Sequence, residues 1–348
     1  MSDIAIRIDG RAGRITLNRP RALNALTYEM CLAIDAALRA WAEDPEVALV
    51  LIEGAGEKAF SAGGDIVEMY ETGTRGDYSY GRRFWRDEYR MNARIAGYPK
   101  PVVSFLQGFT MGGGVGVGCH GSHRIVGETS QIAMPECGIG LIPDVGGTYL
   151  LARAPGRLGE YYGMTGARMG PGDAVLTGFA SHYLPQADWD AAKATLVETG
   201  TVAELEAACP APPEARIAPF RAEIDTDFNY VFGVEVEAAL DTRDTEFSRN
   251  ALLGLRRGAP LSTASALHLI RMARGYADLR EALRHEYRWT WRAAEHGDFI
   301  EGIRAQVIDK DRTPRWQHAK LGNVTPEDVR AMVATLGPDE LTFEGETP

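Results

Sequence analysis

The chain has 348 residues, 45% hydrophobic and 24% charged, the composition of a globular protein with ample material for a core. Its 37 Lys and Arg against 48 Asp and Glu leave a net charge of −11, so no general basic face offers itself to nucleic acid. No apolar run is long enough to span a bilayer, and the four cysteines (Cys31, Cys119, Cys137, Cys209) form neither a Cys-x-x-Cys pair nor a disulfide framework. The start, Met1-Ser2-Asp3-Ile4-Ala5-Ile6-Arg7, lacks a secretory hydrophobic region and an arginine-rich presequence, so the chain is expected in the cytoplasm.

In chain order, Ile4 to Ile8 and Arg14 to Leu17 read as two strands of a hairpin around Asp9-Gly10. Thr27 can cap a helix reaching Trp41, with Met30, Ala33, Ile34, Ala37, Leu38 and Trp41 at helical spacing. Val47 to Ile52 is a continuous apolar run, as in a buried strand. Gly63-Gly64-Asp65 turns into a helix, and Tyr78 to Ala96 reads as another, ended by Gly97 and Pro99. Val102 to Leu106 is a second buried strand, the glycine run at 112–118 opens a helix, and Arg124 to Val126 is a further strand. Strand, glycine turn and helix recur, which argues α/β. From Ala187 the pattern is mostly helical, Ser262 to His296 has helical periodicity, and the prolines at 210–219 mark a connection. The expected division is a core over 1–205 and a helical extension over 206–348, packed on that core.

Three segments carry chemistry. Ala59-Phe60-Ser61-Ala62-Gly63-Gly64-Asp65 follows a strand and precedes a helix, so its loop can aim a backbone N–H at a ligand oxygen. The bland alternative is a tight turn with Asp65 as N-cap. Gly112-Gly113-Gly114 can supply a second such donor, and two donors from separate loops make an oxyanion hole; close helix packing is the alternative. Ala133-Met134-Pro135-Glu136 and Pro143-Asp144-Val145-Gly146-Gly147 place two carboxylates eight residues apart among glycines and prolines. Carboxylates move protons or attack carbonyls. His120 and His123 have no second ligand pair and read as structural rather than metal-binding.

Asn18-Arg19-Pro20-Arg21-Ala22-Leu23-Asn24-Ala25-Leu26, Ala62-Gly63-Gly64-Asp65-Ile66 and the glycine run resemble the crotonase (enoyl-CoA hydratase/isomerase) superfamily. The resemblance implies a spiral of ββα turns, an acyl-CoA substrate bound in a bent shape, and oxyanion donors at the N–H groups of Gly64 and Gly113. It implies weaker CoA contacts at Arg21, Ala22, Ala62, Asp65 and Ile66, with Arg19 and Arg21 near the phosphates. Hydratases of the superfamily use two glutamates. One of those positions is Gly116 here, the other is Glu136, and an acid, Asp144, stands where glycine is usual.

That exchange is similar to the 3-hydroxyisobutyryl-CoA hydrolase branch, the thioesterases of valine catabolism, as are Arg86-Asp87-Glu88-Tyr89 and Asp298-Phe299-Ile300-Glu301-Gly302-Ile303-Arg304-Ala305. The implied activity is hydrolysis of a short 3-hydroxyacyl-CoA, with Glu136 and Asp144 catalytic and Glu88 touching substrate. Whether Glu136 is nucleophile or base stays open, as does the role of Asp144, and the two acids are expected to titrate as a coupled pair. CoA belongs to the substrate, so no cofactor or metal is expected, nor a nucleic-acid or membrane partner. Trimer, hexamer and monomer stay open. An isomerase or hydratase is the enzymatic alternative, and a non-catalytic CoA- or RNA-binding homologue the alternative of another class.

Overall fold

A strand buried on both faces reads as an unbroken apolar run. In the computed structural model, which describes residues 2–346, Leu49, Val50, Leu51 and Ile52 lie fully buried in such a strand. The strands of the described residues are β1 (Ile4–Asp9), β2 (Ala12–Leu17), β3 (Leu49–Gly54), β4 (Ala59–Ser61), β5 (Val102–Phe105), β6 (Phe109–Met111), β7 (His123–Val126), β8 (Gln131–Ala133) and β9 (His182–Tyr183). β1 and β2 form the expected antiparallel hairpin. Its turn needs Gly10, which has φ +52° and whose Cβ would run into the carbonyl oxygen of Val197.

One sheet has the order β1-β2-β3-β5-β7-β9, parallel from β2 onward, and the other has the order β4-β6-β8, all parallel. Successive passes of the chain lay one strand in each sheet: β3 then β4, β5 then β6, β7 then β8. Spatial order follows chain order within each sheet, so the backbone advances as a spiral of ββα turns. Leu49, Leu51, Val103, Phe105 and Ile125 gather on one sheet face and meet Trp189, Leu196 and Leu205 from the helices Trp189–Thr199 and Ala203–Ala208.

The chain forms two compact units. The first takes Met1–Asp65, Arg90–Ala133 and Arg168–Ala218 and contains both sheets. The second takes Ile66–Tyr89, Met134–Ala167 and Pro219–Pro348, and its described residues hold no strand.

The predicted helix after Thr27 runs Tyr28–Trp41, with the Thr27 hydroxyl accepting from the Met30 N–H. The helical run from Ser262 to His296 is two helices, Pro260–Ala273 and Leu279–His296. The break falls at Gly275, and Asp278 restarts the helix by accepting from the N–H groups of Arg280 and Glu281. The break is hidden in sequence because both segments carry apolar residues at helical spacing, the first helix buried nearly all round and the second along one stripe.

Candidate active site

The two glycine loops meet within the first unit. Leu26 bonds both neighbours of Gly64: its N–H reaches Gly63 O (2.9 Å) and its carbonyl accepts from Asp65 N (2.7 Å). In this parallel bridge the N–H and C=O of Gly64 itself face away from Leu26. A Cβ on Gly63, whose φ is +117°, would lie 3.5 Å from Met111 O and 4.0 Å from Gly113 N. Gly63 thus sits against the backbone that begins the helix Gly113–Gly118. Gly114 packs so closely on Ser61 that any Cβ would overlap the Ser61 carbonyl oxygen. Gly64 and Gly113, the two expected N–H donors, lie on these touching loops, and close packing of the glycine run is what the contacts show.

The segments expected at CoA are partly joined. Ala62 N donates to Leu23 O (2.9 Å), which ties the loop holding Arg21 and Ala22 to Ala62-Gly63-Gly64-Asp65. Arg21 and Ala22 are exposed, while Ala62 and Asp65 are half-buried, as is Ile66 at the start of the second unit. Arg19 does not stand free for a phosphate: its guanidinium bonds Asp65 (2.9 Å), Ala25 O (2.7 Å) and Asp3 (3.3 Å). Asp65 therefore holds Arg19, and the helix Val67–Gly73 begins at Ile66 with no side-chain cap. Buried Asn24 braces the loop, donating to the Ala55 and Ala59 carbonyls and accepting from Arg19 N, each at 2.9 Å.

The acids meet in the second unit. Glu136 opens the 3-10 helix Glu136–Ile139, Asp144 begins the turn into the helix Gly147–Arg153, and Glu88 lies on the helix Ser79–Ala96. All three are buried, at 5%, 4% and 3% exposure. Tyr89 Oη donates to Asp144 Oδ2 at 2.7 Å, while Glu88 Oε1 and Glu136 Oε2 have no hydrogen-bond partner. Among the described residues none of the three is ion-paired with a Lys or Arg. Burial, then the charge of Asp144, pushes Glu136 and Glu88 well above the usual carboxylate range. Burial also raises Asp144, to about 7, against the pull of Tyr89 and of its own backbone N–H. Buried acids elsewhere differ. Burial alone would raise Glu53, yet Arg14 (2.7 Å) and Lys193 (3.0 Å) hold it at about 2. The contrast sets the Glu88–Glu136–Asp144 group apart: burial without a neighbouring cation raises all three, where Arg14 and Lys193 lower Glu53.

Sequence reading missed a fourth acid, Glu286, fully buried on the helix Leu279–His296. Burial pushes it up to about 8, against hydrogen bonds from Thr148 and Gly146. Its signal was a glutamate within the apolar stripe Ala282, Leu283, Trp289, Ala293. Tyr89 was quoted only as a neighbour of Glu88. The motif at 298–305 acts through packing: a Cβ on Gly302 would overlap the carbonyl of Ile139, at the end of the Glu136 helix, and Ile300 packs on Gly73. Val145 adopts φ +52° just after Asp144, a conformation costing a β-branched residue about 1–3 kcal/mol. His123 bonds Ser122 (2.9 Å) and Glu206 (3.0 Å) and stacks on His182, and no described group of three His, Cys, Asp or Glu residues could hold a metal.

The sequence profile of the family described as enoyl-CoA hydratase/isomerase matches residues 12–333. A curated relative from Gallus gallus, "3-hydroxyisobutyryl-CoA hydrolase, mitochondrial", is 35% identical over 98% of this chain and 91% of its own. A crystal structure of an enoyl-CoA hydratase from Rhodobacter sphaeroides is 55% identical, with TM-score 0.94, covering 98% of this chain and 100% of its own. One of a carnitinyl-CoA dehydratase from Mycobacterium thermoresistibile is 42% identical, with TM-score 0.95, covering 99% and 100%. The expectation of a cytoplasmic location is corrected here, because the curated relative's name places it in mitochondria. That expectation rested on the first few residues of the sequence, and a leader is a removable address that a folded chain does not record. By matched profile, by identity over nearly its whole length and by the spiral of its strands, the chain belongs to the enoyl-CoA hydratase/isomerase family, the crotonase superfamily.

Proposed function

We propose that the chain hydrolyses a short 3-hydroxyacyl-CoA thioester, 3-hydroxyisobutyryl-CoA, to 3-hydroxyisobutyrate and CoA. The observation that carries the reading is the buried, cation-free group of Glu88, Glu136 and Asp144. Burying acids without a cation costs stability, and an unpaired buried carboxyl oxygen calls for a partner from outside the fold. The Gallus gallus relative bears the name of this activity, and a hydratase needs an acid where Gly116 stands.

Gly64 and Gly113 N–H groups are assigned to the thioester oxygen, where negative charge develops; one such donor contributes about 3–4 kcal/mol. Glu136 is assigned to the carbonyl carbon. In its ionised form it either attacks directly, expelling the CoA thiolate and leaving a mixed anhydride that water opens to the free acid and Glu136, or takes a proton from water attacking the thioester. Asp144 is assigned to the proton of that water or of the leaving thiol, and Glu88 to the substrate hydroxyl. Arg21, Ala22, Ala62, Asp65 and Ile66 are assigned to the CoA portion. CoA enters as part of the substrate, and no separate cofactor is assigned.

A second reading, hydration of an enoyl-CoA, is favoured by the name of the Rhodobacter sphaeroides structure. Free-thiol release from 3-hydroxyisobutyryl-CoA separates the two. Asp144→Asn is expected to release thiol at least about 100-fold more slowly than the unmodified chain. No thiol release, with loss of the enoyl absorbance of crotonyl-CoA, would move the assignment to hydration. Gly114→Ala tests the glycine loops: the overlap with Ser61 O must shift Gly113, and kcat is expected to fall about 10-fold or more. Unchanged turnover in that variant would remove Gly113 from the reaction.

A further inference from the structure

The turn that carries Asp144 is held by two residues distant in sequence. After Asp144 come Val145 with φ +52° and Gly146 with φ +81°, a left-handed pair that a valine rarely enters. Glu286 reaches this turn from the helix Leu279–His296. Its Oε2 accepts from Gly146 N at 2.7 Å, and its Oε1 from Thr148 N at 3.0 Å and Thr148 Oγ1 at 2.5 Å. The Asp144 carbonyl accepts in turn from Gly147 N at 2.6 Å. The side chain is held separately, by Tyr89 Oη at 2.7 Å, and Tyr89 Oη lies 3.4 Å from Thr290 Oγ1. Thr290 stands one helical turn beyond Glu286, so backbone and side chain of Asp144 both answer to one helix face.

We infer that Glu286 and Tyr89 are positioning residues for the reaction: Glu286 fixes the backbone of the Asp144 turn and Tyr89 fixes the orientation of its carboxyl group. This rests on the proposed role of Asp144 in thioester hydrolysis. A buried carboxyl group accepting three hydrogen bonds is a rigid clamp, and it accounts for a glutamate inside an apolar helix face. It also gives the helical C-terminal segment a part in the chemistry without contact with substrate. The titratable groups around Asp144 are Tyr89, Glu88, Glu136 and Glu286.

The test compares the unmodified chain with Tyr89→Phe and Glu286→Gln, by steady-state thiol release and by ¹³C titration of aspartate labelled at Cγ, with Asp144 assigned through Asp144→Asn. Each variant is expected to lower kcat about 10- to 100-fold with KM within about twofold, since the acid is displaced while substrate contacts remain. Tyr89→Phe is also expected to move the Asp144 midpoint to higher pH, because a donor to the ionised form is gone. A Tyr89→Phe variant with unmodified kcat and midpoint would overturn the inference. If Glu286→Gln does not fold, Tyr89→Phe decides. If the unmodified chain releases no thiol, the functional reading falls, and the Asp144 midpoint still shows whether Tyr89 holds that carboxyl group.

Discussion

Glu136→Gln is expected to lower kcat for thiol release by roughly 1,000-fold or more, and at pH 8 to raise the unfolding temperature. Glutamine keeps the shape of the side chain but neither attacks a carbonyl nor takes a proton from water. The stability gain follows from linkage. A group whose folded pKa is raised stabilises the fold fully below its unfolded pKa and loses that contribution as pH rises through the folded value. Asp144 rises from 3.8 to about 7 and Glu286 from 4.5 to about 8, both chiefly through burial, and Glu136 lies well above its usual range. For Asp144 this contribution is full below about pH 4 and gone above about pH 7. The unmodified chain should therefore lose stability from about pH 4 to pH 8. The neutral glutamine removes one member of the group and should flatten that fall. Calorimetry at pH 5 and pH 8 checks it: equal unfolding temperatures at the two values would show that these acids are not held protonated by the fold.

Gly302→Ala is expected to destabilise the chain by about 2–4 kcal/mol and to lower kcat more than it raises KM. The added Cβ would overlap the carbonyl of Ile139, a backbone atom with no rotamer to yield. Either the helix Phe299–Ile303 withdraws or the 3-10 helix Glu136–Ile139 moves, and the second course displaces Glu136. Denaturant unfolding reads the first effect and thiol release the second. Unfolding at the unmodified midpoint would mean that the two segments are not in fixed contact. The same close approach ties a motif far from the acids in sequence to the Glu136 helix: Gly302 lets backbone lie on backbone, and Gly140 does the same against Asp298.

Elements with a periodic or unbroken apolar pattern were legible. The hairpin and the capped helix Tyr28–Trp41 show through the spacing of their apolar residues, and β3 and β5 show because burial on both faces makes an unbroken apolar run. The second sheet was not. β4, β6 and β8 have three residues each, too few for any period, and they exist because the spiral stacks them. Glu136, Asp144 and Glu88 could be named from their motifs because chemistry constrains residue type locally. The partners of Arg19 were not legible for the opposite reason: a loop arginine looks the same in sequence whether or not it pairs with acids such as Asp65 and Asp3.

By itself the sequence determined the α/β class, the family, the two glycine loops and three of the acids, all properties written in short local patterns. Only the tertiary structure decided that Glu286 bonds the turn after Asp144 and Tyr89 its carboxyl group, that Gly302 lies against the Glu136 helix, and that the second unit draws on three separate segments. Those are contacts between residues 55 to 163 positions apart, and no local pattern encodes a partner at that range. The same distance sets the proton balance of the site. An acid's pKa follows from who surrounds it after folding, and burial beside other acids is a property of the fold rather than of the residue.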